Sequence, residues 1–379
     1  MLAHFSHHLL AALLTPLLPF IRDDFVLDYT QIGWIVSAFT LAYGISQLPA
    51  GWLADRLSLR TIITIGISGV ALCGLLVGLS PTYVMLVIFL MLLGVMGGSY
   101  HPAASPLVST LVVPEKQGQA LGLHQIGGTA SFFLTPLIAV GIAAALGWRG
   151  SFIVLAVPTM VFGIILYLVL GKRGYTGKAQ KDVTNKPTAG PSEVILWRRL
   201  VPVIILGIAP QVLLFSVMSF IPLFVVDYFG RGEEAAAGFL ALYHSSGLWA
   251  GLLGGYLSDR IGKVPVLLAA GIIAGPVIYL LSFVSFGWSI SVVILIMGMS
   301  QYITMPVSEA YIISNTPQRR RSTILGVYYF ASRGGPGVIM PIVGYIIDNF
   351  GFDTSFAVAG AALFAVTLGC SILLWRSRD

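Results

Sequence analysis

Charge is scarce in this chain. Asp, Glu, Lys and Arg together make up 9% of its 379 residues, where a soluble domain carries about 25%. Apolar residues make up 57%, and mean hydropathy is +0.91. A water-soluble core has no room for that much apolar surface, whereas a bilayer does. Cysteine is almost missing. Cys73 and Cys370 both fall in apolar runs, which excludes a disulfide framework and a cysteine-ligated metal or redox centre. The ten-residue alternation of an outer-membrane barrel is absent. Gly66-Ile67-Ser68-Gly69 and Gly94-Val95-Met96-Gly97-Gly98 lie inside apolar runs, and neither leads to a Walker lysine. That excludes an ATP-driven pump acting alone. No hydrolase, kinase or dinucleotide motif is present, so the chain reads as no enzyme, and no cofactor is expected.

What is there is length without polarity. Twelve apolar runs can be drawn, from 3–22 to 353–375, each long enough for a hydrocarbon crossing of about 20 residues. In lipid the backbone satisfies itself most simply as helix. The expected fold is therefore an all-α membrane protein of twelve transmembrane helices in two six-helix bundles, 1–171 and 199–379. A polar linker over 172–198, with a short surface helix near Glu193 to Arg199, joins them. The first run leads straight into Arg22-Asp23-Asp24 with no small-residue cleavage site, so it reads as a span. Placing residues 51–60 in the cytoplasm puts seventeen of the 21 basic residues on that side. The expected location is the inner (plasma) membrane, multi-pass, with both termini cytoplasmic. The positive charge thus sets topology and does not point to nucleic acid.

One segment is said twice. Gly51-Trp52-Leu53-Ala54-Asp55-Arg56 returns as Gly255-Tyr256-Leu257-Ser258-Asp259-Arg260, 204 positions later. The same shift aligns Asp23 with Asp227, Pro102 with Pro306, Gly122 with Gly326, and Gly147, Ser151 and Phe152 with Gly351, Ser355 and Phe356. Both elbows fall on one side, so the copies are parallel repeats about an axis along the membrane normal. Such proteins place substrate near the midplane between the halves.

These residues resemble the major facilitator superfamily: the Gly-x-Leu-x-Asp-Arg elbow, its later echo, and Gly147-Trp148-Arg149. The first elbow continues Ser58-Leu59-Arg60, so it has lost a glycine that the second keeps at Gly262. More finely, Tyr100-His101-Pro102, Gln125-Ile126-Gly127-Gly128 and His7-His8-Leu9-Leu10 look like the fosmidomycin-resistance branch of drug exporters. Ala11, Ala12 and Ala104 stand where that branch carries acids. The resemblance implies a secondary transporter working by alternating access, by proton-coupled efflux or exchange. The alternative is an organic-anion transporter. Partners would be a small-molecule substrate, a proton or counter-ion and the lipid bilayer, with the chain a monomer.

Ionisable groups within spans are costly and need a reason. Glu309 is the only carboxylate deep in a run and is the expected proton acceptor, with His101 as a second proton carrier. Arg333 is the only strong base in a run and is the expected anion anchor. A buried Glu309–Arg333 pair is the competing structural role. His8, Tyr43, Gln47, Tyr100, His101, His124, Gln125, Gln211, His244 and Tyr328 are the other cavity candidates, each of which could equally tie helices together. Asp55, Arg56, Arg60, Asp259 and Arg260 are expected to gate the halves. His4, His7 and His8 share a helix face, but no second pair completes a metal site in the sequence, so none is assigned.

Overall fold

The structure, a computed structural model, describes residues 1–113, 116–172, 193–316 and 318–376. Among them it is helical almost throughout, with no strand. Eight helical stretches in that set are long and apolar enough to cross a membrane. Two exceed any single crossing: α8 (Gln117–Lys172) has 56 residues and α14 (Gln318–Arg376) has 59. At 1.5 Å per residue each would reach ~80 Å, more than twice the ~30 Å hydrocarbon layer. Each instead breaks at one glycine, Gly147 (φ 70°, ψ 169°) or Gly351 (φ 80°, ψ 170°). A side chain resists that left-handed conformation and glycine does not. The two glycines are the pair aligned by the 204-residue shift. Ser151 Oγ donates to the Ala139 carbonyl at 2.8 Å, and its counterpart Ser355 to the Val343 carbonyl at 3.4 Å.

The elbows show the same place solved in two ways. After α3 (Tyr29–Arg56), Ser58 is extended (φ −69°), and its hydroxyl accepts from the Thr61 amide at 3.2 Å to start α4 (Leu59–Thr64). After α11 (Ala250–Ile261), Gly262 turns through φ 91° into α12 (Lys263–Leu280). The first copy lost its glycine because a serine cap replaces the left-handed turn. The expected separate helix near Glu193 is instead the opening of one long helix, α9 (Glu193–Leu223). Residues 173–192 of the expected linker lie outside the described residues.

Apolar side chains cover the outside of the molecule. Val157, Ile164, Val338, Ile342 and Leu373 on α8 and α14 are all exposed, which suits a lipid-facing surface.

The core is continuous at one end and divided at the other. At the end away from the elbows, Leu17, Ile21 and Val36 share one apolar cluster with Phe220, Phe224 and Met340. Toward the elbows, one cluster draws only on residues before 171, including Ile63, Tyr100 and Leu107. The clusters around Val203 and Val307 and around Leu200 and Ile324 draw only on residues after 199.

The joined end is sealed by close backbone approach and by hydrogen bonds. Ser37 Oγ, on α3, donates to the Gly337 carbonyl on α14 at 2.5 Å. Asp348, on α14, accepts from the amides of Tyr29 and Thr30 at 2.9 and 2.8 Å, and from the Thr30 hydroxyl at 2.5 Å. Those amides belong to the unpaired first turn of α3. Asp28 also caps that turn, accepting from the Gln31 amide at 2.6 Å. Asp227 accepts from the Tyr29 hydroxyl at 2.7 Å and pairs with Arg22 on α2 (Leu14–Phe25).

Candidate functional site: a cavity between two groups of helices

Beneath that seal lies a cavity holding about 890 Å³ of space between atoms, part of it open to the outside. Helices from both ends of the chain line it. His8 comes from α1 (Leu2–Ala11), Tyr43 and Phe39 from α3, and Phe132 from α8. The facing wall carries Gln211 from α9, His244 from α10 (Glu233–Ser245), Gln301 from α13 (Trp288–Asn315) and Arg333 from α14.

The polar groups are partly committed. Gln211 and Gln301 brace each other: Gln211 Nε2 donates to the Gln301 carbonyl at 2.9 Å, and Gln301 Nε2 to Gln211 Oε1 at 2.7 Å. That leaves Gln301 Oε1 buried with no partner. His244 Nδ1 meets the Tyr302 hydroxyl at 2.8 Å. Phe132 stands between the two walls, 4.8 Å from the His8 ring and 5.3 Å from the His244 ring. Arg333 is the one Arg or Lys lining the cavity among the described residues. Its Nη2 donates to Met305 Sδ at 3.3 Å. No Asp or Glu among the described residues lies within ion-pair distance of it.

The competing structural role, a Glu309–Arg333 pair, is therefore not realised. Glu309 sits on α13 away from the cavity lining, with Oε1 buried and unpartnered. Of the other candidates, Arg333, Tyr43, Gln211, His244 and His8 meet at the cavity. Gln47 lies off it with Nε2 buried and unpartnered, and Gln125 is exposed. Tyr328 is fully buried in the small core around Leu200 and Ile324. Tyr100, His101 and His124 are gathered behind His8: Tyr100 stacks on His7 at 4.3 Å, and His124 on His4 at 4.3 Å.

At the elbows, the Asp55 side chain lies outside the described residues. Arg56, Asp259 and Arg260 are exposed, with Arg260 over the Tyr256 ring at 4.6 Å. Arg60 stacks on Tyr167 at 3.5 Å. The ion pairs between described side chains lie at the opposite, sealed end and join Arg22 to Asp23 and Asp227, and Arg149 to Asp24. Sequence reasoning missed Asp227 and Asp348 as closing groups. The only available signal was the match of Asp23 to Asp227 in the repeat. It also missed Phe132, which carries no polar mark.

The profile of the Major Facilitator Superfamily matches residues 1–332 and 235–379. The probable sulfoacetate transporter SauU of Cupriavidus necator is 25% identical over 91% of this chain and 85% of its own length. The multidrug resistance protein MdtG of Enterobacter lignolyticus is 26% identical over 95% and 88%. The crystal structure of a bacterial homologue of the human lysosomal transporter Spinster, inward-facing and occupied, shares the fold. It has a TM-score of 0.79 at 15% identity, covering 100% of this chain and 95% of that one. Its relatives are transporters rather than enzymes, and with a matching profile along its whole length, the chain belongs to the major facilitator superfamily of multi-pass membrane transporters.

Proposed function

We propose that this transporter carries small organic anions by alternating access, with Arg333 as the anion anchor. The observation that carries this reading is a guanidinium on the cavity wall with no carboxylate partner among the described residues. A half-buried charge without a counter-ion is partly desolvated at a cost, and an incoming carboxylate, sulfonate or phosphate offsets that cost through paired hydrogen bonds. Phe39, Phe132 and Phe215 suit an apolar body attached to the acid. The similarity to a probable sulfoacetate transporter supports the charge class.

The two broken helices count as two passes each. With α3 and the α10–α11 pair added to the apolar stretches, the total is twelve. On this reading residues 1–171 and 199–379 are the two moving halves. The basic elbows face the cytoplasm, and the state described is sealed outside and open inside.

Arg333→Gln is expected to weaken binding of a carboxylate or sulfonate ligand by about ten- to a hundredfold, the worth of a charge-assisted contact. Arg333→Lys should recover only part, since lysine keeps the charge but loses the fork. Calorimetry on purified protein, after a thermal-shift screen of short organic acids, reads this directly. Equal affinity in all three proteins overturns the assignment.

Asp348→Ala removes a cap worth about 1–2 kcal/mol from the sealed end. It is expected to shift the population toward the outward-open state about five- to thirtyfold. Distance measurements between spin labels at Val26 and Phe350, both exposed near the seal, check this; an unchanged distribution counts against the cap.

A further inference from the structure

All six histidines of the chain lie at or just behind the cavity. Five of them, His4, His7, His8, His101 and His124, form one packed group in the first half. His4 lies 4.8 Å from His8 and 5.1 Å from His101 between ring centres, and His8 lies 5.2 Å from His101. One ring nitrogen from each of His4, His8 and His101 falls within 4.8 Å of the others.

The group contains a surplus of unmet nitrogens. His4 Nε2, His7 Nε2, His8 Nδ1 and His124 Nε2 are all buried with no hydrogen-bond partner. Buried polar atoms are nearly always satisfied, so four in one cluster ask for a missing partner. Two of the rings are also held in a telling way. His4 Nδ1 donates to the His124 carbonyl and His7 Nδ1 to the Gly66 carbonyl, each at 2.9 Å. That bond fixes the tautomer and leaves Nε2 with its lone pair free, as in metal-ligating histidines. The ring of His4 fits only because residue 128 is glycine: a Cβ there would fall 2.5 Å from it.

We propose that His4, His8 and His101 bind one divalent transition-metal ion of the zinc, cobalt or nickel kind on the wall of the transport cavity. Three neutral imidazoles with no thiolate or carboxylate suit these borderline ions and not magnesium or calcium. Ligand nitrogens around such an ion stand ~3.4 Å apart, given metal–nitrogen bonds near 2.1 Å. The observed spacing therefore needs only a small inward movement of flexible rings. His8 also lines the cavity, so the position that three ligands leave open is reachable from it. His7 and His124 pack around the three and hold their orientation.

The test uses full-length protein purified without a histidine tag, stripped with chelator and titrated with Co²⁺. The expected result is one ion per chain, visible d–d bands of a low-symmetry nitrogen site, and their loss on adding Zn²⁺. His8→Gln and His101→Gln should each weaken binding at least about tenfold, and the double variant should abolish the bands. Should a variant fail to fold, X-ray absorption of the zinc-loaded wild type decides, with imidazole scattering from three histidines expected. No saturable binding, binding unaltered in the double variant, or zinc without histidine ligands would each overturn the proposal. The last two would mark the ion as surface-bound, and the first would leave water to satisfy the rings.

Discussion

Replacing Gly33 with leucine should cut transport at least tenfold and hold the protein open at the end that is sealed here. A Cβ at Gly33 would lie 2.6 Å from the Met340 carbonyl oxygen and 2.7 Å from Pro341 Cα. Ordinary contacts stand at about 3.5–4.0 Å, and both neighbours are backbone, so neither can swing aside. The same seam is tight at Gly344, where a Cβ would meet the Tyr29 carbonyl at 2.1 Å, and at Gly44, 2.7 Å from Gly334 Cα. Overpacking costs about 1–3 kcal/mol even where surroundings can adjust. On the alternating-access reading proposed above, the strain would be specific to one state, because it would vanish on separation of α3 and α14. The variant should fold, bind lipid and populate the opposite conformation, read by spin-label distances across the seal together with uptake in liposomes. Gly238→Leu, where nothing lies within 4 Å of the added carbon, should transport normally. Full activity in Gly33→Leu would mean that this seam does not close during the cycle.

The second large effect concerns the driving force. We expect Glu309→Gln to abolish uptake driven by a pH gradient while substrate exchange across the same liposomes continues. Glu309 follows Pro306 by three residues on α13 and has one oxygen buried without a partner. It makes no ion pair with Arg333, which leaves it available as the proton carrier that a coupled alternating-access cycle would need. Glutamine copies the shape of the protonated acid and fixes it as neutral. Gradient-driven accumulation surviving in the variant would remove Glu309 from the coupling role proposed for it.

Much of the frame was legible because it repeats. A shift of 204 predicted that Gly147 and Gly351 would do the same thing, and they share a left-handed turn to within about ten degrees. Scarcity of charge pointed to Arg333 in the same way: a cation inside an apolar run must face either a partner or a cavity, and it faces the cavity. Glu309 obeyed the same rule only halfway, since spacing along a chain cannot tell which side of a helix meets an arginine 24 positions on. Of the seal, only the match of Asp23 to Asp227 left a trace in the sequence. Asp348 caps a helix that starts 319 residues earlier, and nothing in its own neighbourhood marks it as a cap. The histidines were visible as three on one face near the start. Their company with His101 and His124 is a tertiary fact, made by Gly66 and Gly128 allowing close approach.

The repeat that builds the two walls has not kept them alike. His124 corresponds to Tyr328, His101 to Met305 and Thr129 to Arg333 under the common shift. Both walls offer an imidazole, His8 on one and His244 on the other, but only the second adds a cation, Arg333. A cargo molecule with one acidic end would therefore meet the cation at only one of the two walls, although the backbone around it would look much the same. If the cargo is an organic anion as proposed, the twofold scaffold would favour one orientation of its passenger. Molecules that are themselves symmetric, with an acid at each end, would satisfy only one side at a time.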